Sequence, residues 1–192
     1  MRTLAEKPTT KRPVIVRVAT SLFAERGIDG TSMREIAAAA GVREAAIYRH
    51  FAGKDELARE IFLSWYGWYS SELQRIASGS SGTLDTLREI VRHEFLAATK
   101  HSEAFVYFCE NEARFARSLP PQIVSARRVL TRFIKSGQAA GTVRAGNPVL
   151  LADMFGGALC AVALTWLAMG RKNKLAAEFD EVVQTCWCMI KA

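Results

Sequence analysis

Apolar residues recur at helical spacing along nearly the whole chain. Ile15, Val18, Ala19, Leu22 and Phe23 fall at i, i+3, i+4, i+7 and i+8, the stripe of an amphipathic helix. Pro13 suits the first turn of that helix and Gly27 its stop, so a helix is predicted from about 13 to 26. Ser32-x-x-Glu35 matches a capping box, in which hydroxyl and carboxylate reciprocally satisfy free backbone donors. It opens a short helix with Met33, Ile36, Ala37 and Ala40 on its apolar face and Gly41 at its end. A third helix is predicted over 43–50, with Ala46, Ile47 and Phe51 turned inward. After the turn at 52–55, Leu57, Ile61, Phe62, Trp65, Trp68, Tyr69, Leu73 and Ile76 mark a long helix reaching about 77. No alternating run bounded by turn residues reads as a strand.

Ser78-Gly79-Ser80-Ser81-Gly82 reads as a flexible loop. Thr83 or Asp85 caps a helix to about 100, and Ser102 opens another to about 118. Pro120-Pro121 breaks the chain before a helix ending near 140, Pro148 starts a long apolar helix to about 170, and Asn173 or Asp180 begins the last one. The expectation is an all-α protein of about nine helices without internal repeats. The uncharged run at 154–169 lies between Asp153 and Arg171-Lys172. It is shorter than the roughly 20 residues that span a bilayer, so a buried core or dimer helix is expected and no membrane partner.

Composition changes this picture little and charge changes it more. Among 192 residues 49% are hydrophobic and 23% charged, which fits a folded chain. The net charge of +7 favours a polyanionic partner. Residues 1–17 carry Arg2, Lys7, Lys11, Arg12 and Arg17 against Glu6 alone. A basic arm at 1–11 either lies along a phosphate backbone or is a solvated tail; both readings stay open. Cys109, Cys160, Cys186 and Cys188 form no Cys-x-x-Cys pair, and the first twelve residues are mostly polar with no apolar core after them. A cytoplasmic chain with reduced, buried thiols is expected. Glu89 and His93 read as a surface pair one helical turn apart, and His93 and His101 are about 12 Å apart along a helix, too far to share an ion. There is no Gly-rich phosphate loop, zinc-binding helix or nucleophile elbow, so no enzyme, metal site or cofactor is expected.

Three short helices with a tight Gly41 turn between the second and third have the dimensions of a helix-turn-helix. A B-form major groove admits one helix, and the preceding helix must cross the backbone to hold it there. The small residues at 37–40 permit close packing of the two. On the third helix Arg43 or Arg49 can bind guanine or phosphate, Glu44 can accept from cytosine N4, and Ala45 can touch a thymine methyl. Tyr48 and His50, and Lys54 at the head of the following helix, can donate to phosphate oxygens.

These residues carry a resemblance. Ala24-x-x-Gly27, Gly30-Thr31-Ser32-Met33-Arg34-Glu35-Ile36-Ala37, Ala40-Gly41-Val42, Ile47-Tyr48-Arg49-His50-Phe51 and Lys54-Asp55-Glu56-Leu57 resemble the DNA-binding domain of the TetR/AcrR family of bacterial regulators over about 12–60. The resemblance implies a helix-turn-helix domain at 12–57 and a helical ligand-binding and dimerisation domain at 58–192. It places Ser32, Tyr48, His50 and Lys54 at phosphates and Arg43, Glu44, Ala45 and Ala46 at the base-reading end. Many members carry Ser or Thr where this chain has Arg43, and Lys where it has Glu44. In the family, effector binding shifts the long fourth helix and spreads the two reading heads.

The C-terminal region extends the expectation. The helix at 148–170 is apolar nearly all round, and Gly156, Gly157, Ala158 and Ala161 permit close approach. A homodimer face is expected at Phe155, Gly157, Leu159, Val162 and Trp166 together with Phe179, Val182, Val183 and Cys186, a four-helix interface addressing a palindromic operator. An effector pocket is expected among Trp65, Trp68, Tyr69, Phe105, Phe108, Cys109, Glu112, Phe155 and Trp166, with Glu72, His93 and Asn111 as further polar groups; a hydrophobic or aromatic small molecule fits such a lining. The competing view of these aromatics is plain core. The reading is a homodimeric repressor of double-stranded operator DNA, released by an effector. The alternative is a ligand-binding or protein-interaction regulator with a vestigial reading head, since Glu44 and the modest charge of residues 1–60 (eleven Lys and Arg against eight Asp and Glu) leave room for it.

Overall fold

The computed structural model describes residues 11–79, 82–171 and 176–192. The arm at 1–10, Ser80 and Ser81 of the loop, Lys172 and the start of the last helix at Asn173 lie outside the described residues. Among those described are nine α-helices and no strand beyond an isolated bridge between Val143 and Lys191. The chain divides into two compact units, Met1–Phe62 and Leu63–Ala192, a division five residues beyond the expected boundary at 57.

In the first unit α1 (Arg12–Arg26) buries Ile15, Ala19 and Phe23, the predicted stripe. Arg12 pairs with Glu60, and its guanidinium lies 5.3 Å from the Phe51 ring centroid. The α2 helix (Met33–Ala39) starts from the full capping box: Glu35 N donates to Ser32 Oγ at 3.2 Å and Ser32 N donates to Glu35 Oε2 at 2.8 Å. Its end is a Schellman motif, with Val42 N donating to Ala37 O at 3.0 Å and Gly41 N to Ala38 O at 3.2 Å. Gly41 holds φ at 64°, which a side chain resists, and this is what makes the turn tight. The third helix, α3 (Glu44–Tyr48), is shorter than the predicted 43–50, because Arg43 is its N-cap in extended conformation and Arg49 its C-cap. Ile36, Ile47, Phe51, Leu57 and Phe62 are almost wholly buried and make the core. The long α4 (Lys54–Ala77) begins here.

The second unit contains the rest of α4, α5 (Thr83–Lys100), α6 (Ser102–Phe115) with a 3₁₀ turn at Ala116–Ser118, α7 (Ala126–Ala139), α8 (Pro148–Ala168) and α9 (Phe179–Ile190). The α5 helix is the central one and buries nine residues, among them Leu87, Val91, His93 and Glu94. The α7 helix starts at Ala126, five residues after Pro121, because Ser125 supplies the cap: its side chain accepts from Arg128 N. Tyr66 OH accepts from Ala126 N at 2.9 Å. The α7–α8 packing is close at Gly156, where a Cβ would lie 2.9 Å from Leu130 Cδ1. The α9 helix docks on α5 through Phe179, which lies under the guanidiniums of Arg88 and Arg92 at 5.6 and 5.1 Å, and through an Arg88–Asp180 ion pair at 2.5 Å. It begins at Phe179, one residue before the predicted Asp180.

Two expectations change in this unit. Phe155, Leu159, Val183 and Cys186 are at most 3% exposed within the single chain, because α8 and α9 turn these residues toward their own neighbours. Phe155 meets Phe133 of α7 at 6.5 Å between ring centroids. His93 is no surface partner of Glu89: it is buried, stacks on Tyr69 at 4.7 Å and its Nε2 lies 3.1 Å from Tyr69 O, while Glu89 pairs with Arg92.

Candidate nucleic-acid interface and ligand cavity

The helix-turn-helix residues converge on a groove of ≈ 510 Å³ in the first unit, whose lining includes Ser32, Arg34, Glu44, Tyr48 and Lys54. Four of the nine residues predicted to touch DNA thus share one concavity. Tyr48 is 51% exposed, so its ring is not core and its hydroxyl is free to reach outward. Ser32 is committed in part: its hydroxyl donates to Glu35 Oε2 at 2.6 Å and holds that carboxyl below the usual carboxylate range. Asp55 and Glu56 share the first turn of α4 with Lys54, the favourable end of the helix dipole for acids.

The other predicted contacts lie outside this groove. Arg43, Ala45, Arg49 and His50 are exposed, and Ala46 is half-buried. Arg43 offers the α3 backbone no side-chain cap. His50 sits edge-on to Phe51 at 6.3 Å, between solvent and the core. The residues that face away from the core on α3 are thus Glu44, Ala45 and Tyr48, with Arg43 and Arg49 at its two ends.

The second unit holds a cavity of ≈ 480 Å³ bounded by α4, α5, α6, α7 and α8. Tyr69, Phe108 and Glu112, all predicted, line it; so do Glu94, Cys160, Arg127 and Asp153, which periodicity did not single out. Trp65, Trp68, Phe105, Cys109 and Phe155 are not among the lining residues. Trp65 packs behind the wall, stacked on Tyr69 at 5.2 Å and tilted on Phe108 at 4.7 Å, and its buried Nε1 has no hydrogen-bond partner. Trp68 is 44% exposed beside His101. Cys109 meets Cys160 at 3.2 Å between sulfurs; this hydrogen bond and burial push the Cys109 thiol up. At the rim Arg127 grips Asp153 with two bonds of 2.7 and 2.6 Å. Deeper in, the Tyr69 hydroxyl donates to Glu94. Burial pushes Glu94 up to about 7, against the Tyr69 bond and with the help of the Glu112 charge; burial also raises Glu112. Among the described residues no group of acids, histidines and cysteines is arranged to hold a metal ion.

A second groove of ≈ 230 Å³ runs between α8 and α9. Leu159, Val162, Trp166, Val182 and Cys186, expected on the dimer face, line it, whereas Gly157, Phe179 and Val183 do not. The α8 helix exposes Leu150 and Met154, and Met169 is exposed at its C-cap. The helix is 21 residues long, and its most apolar stretch has a mean hydropathy of 1.8 with 28% of it buried in the single chain, so length and composition alone would let it cross a membrane.

Known proteins fit this architecture. Residues 15–61 match the bacterial regulatory proteins of the tetR family. The HTH-type transcriptional repressor KstR2 of Mycolicibacterium smegmatis is 26% identical over 178 residues, which cover 90% of this chain and 85% of that one. The solved structure of the ketosteroid transcriptional regulator KstR2 of Mycobacterium tuberculosis superposes with a TM-score of 0.75 at 20% identity, covering 100% of both chains. The transcriptional regulator FadR of Bacillus subtilis, solved in complex with stearoyl-CoA, has a TM-score of 0.74 at 16% identity, covering 91% of this chain and 97% of that one. With a capped α2, a Gly41 turn and an exposed α3 ahead of a helical second unit, the chain belongs to the TetR family of bacterial DNA-binding transcriptional regulators.

Proposed function

We propose that the chain is a cytoplasmic, homodimeric repressor that holds a two-fold-symmetric operator and is released when an apolar small molecule enters the α4–α8 cavity. The observation that carries the DNA half is the groove in which Ser32, Tyr48 and Lys54 meet beside Glu44. Hydroxyl and ammonium donors there suit phosphates, while Glu44, at the start of α3, reaches for a base edge. The assembly half is supported by the α8–α9 groove and by the apolar residues that α8 leaves exposed. Packing two helices from each copy would cover them and set two reading heads about one helical turn of DNA, or a multiple of it, apart.

The effector half is supported by the mostly apolar cavity with a few convergent polar groups. It is also supported by relatives named for ketosteroid regulation and solved with stearoyl-CoA. The α4 helix contains both Lys54 and Tyr69, so a ligand that displaces this helix acts on the DNA contact. The test is fluorescence anisotropy with DNA from upstream of the gene. Sequence-selective binding that weakens steeply with salt is expected. Binding to all sequences alike, or none at all, would favour a regulator whose reading head is vestigial.

A further inference from the structure

The cavity is acidic where it is deepest. Glu94 lines it from α5 with 6% of its surface exposed, and Glu112 lines it from α6, half-buried. Arg127 is the one cation among the described lining residues, and Asp153 already occupies its guanidinium. Burial pushes Glu94 up to about 7, and the charge of Glu112 in the same space adds to it. An anionic amphiphile entering here meets like charge and no free guanidinium or ammonium. A cation meets two carboxyls in an otherwise largely apolar lining.

Building on the reading of this cavity as the effector site, we propose that its ligand is a lipophilic cation: an apolar body lying against Phe108 and Leu130 with an ammonium group delivered to Glu94 and Glu112. The groups around Glu94 are Tyr69 from α4, with His93 of α5 behind it, and Cys109 and Glu112 from α6; Arg127 from α7 and Cys160 and Asp153 from α8 share the cavity lining. Glu94 gains charge as the pH rises through neutrality. Affinity for an ammonium ligand therefore increases between about pH 6 and about pH 8.

Calorimetric titration of the full chain with three chain-matched probes tests this: decyltrimethylammonium, decanol and decanoate. The ammonium compound is expected to bind at least about tenfold more tightly than decanoate, with affinity rising over that pH interval. Glu94→Gln and Glu112→Gln are each expected to weaken ammonium binding about tenfold, and by more than they change decanol binding. Glu112 is only half-buried, so its variant and the pH series on the unaltered chain carry the test even if Glu94→Gln misfolds. Equal or tighter binding of decanoate overturns the proposal, as does unchanged ammonium affinity in both variants. Binding of decanol or decanoate alone overturns only the charge assignment, whereas failure of all three to bind overturns the effector cavity as well.

Discussion

Tyr48 and Lys54 share a groove with Glu44, yet their loss should register differently. Lys54→Ala removes a phosphate contact. It is expected to weaken binding to every DNA sequence and to lower the salt slope by about 1, read from anisotropy at several salt concentrations. Tyr48→Phe should weaken binding in the same sequence-blind way. Glu44→Ala or Arg43→Ala should instead change which base-substituted operator competes best. Glu94 sets a stability effect of its own. Its folded-state pKa is raised from 4.5 to about 7, so the folded chain holds the proton more tightly than the unfolded one. That contribution is complete below about pH 4.5 and is lost as the pH rises through about 7. Glu94→Gln should therefore flatten the dependence and be the more stable protein at pH 8, by on the order of 3 kcal/mol, in urea unfolding at pH 5 and pH 8. Equal stabilities at both pH values would contradict the buried carboxyl.

At the scale of elements, α3 is the exposed weak point. It is five residues long, and its N-cap Arg43 supplies no side-chain acceptor. Arg43→Ser is expected to add the missing cap and raise stability by about 1 kcal/mol in thermal unfolding, even as it removes a DNA contact. Gly41→Ala should cost about 1 kcal/mol through the positive φ alone, since a Cβ there meets nothing within 4 Å. The local signals that were legible in the sequence are of this kind. The Ser32–Glu35 box, the Gly41 turn and the Pro148 start act over three or four residues, and each appears in the structure where it was read. The Pro120-Pro121 break leaves the start of α7 open, and Ser125, four residues further on, sets it. Glu94 escaped notice because nothing in its spacing separates a carboxyl over a cavity from one in water.

At the scale of the whole molecule, periodicity identifies apolar stripes without saying which neighbour covers them. Phe155 and Val183 look as available for a partner as Val162 and Trp166, and only folding separates the two pairs. The face left over is the one along the α8–α9 groove. Val162→Glu places a charge there and is expected to convert a dimer into a monomer in light scattering, with operator affinity falling as the second reading head is lost. A symmetric pair of these reading heads that selects a DNA sequence should leave its mark in repeated selection of bound duplexes from a randomised DNA pool. Enrichment of an inverted repeat is expected, with half-sites about 10 base pairs apart or a multiple of that, and no such enrichment by the Tyr48→Phe, Lys54→Ala double variant. A pool that stays random, or that yields the same sequences with the double variant, would contradict it.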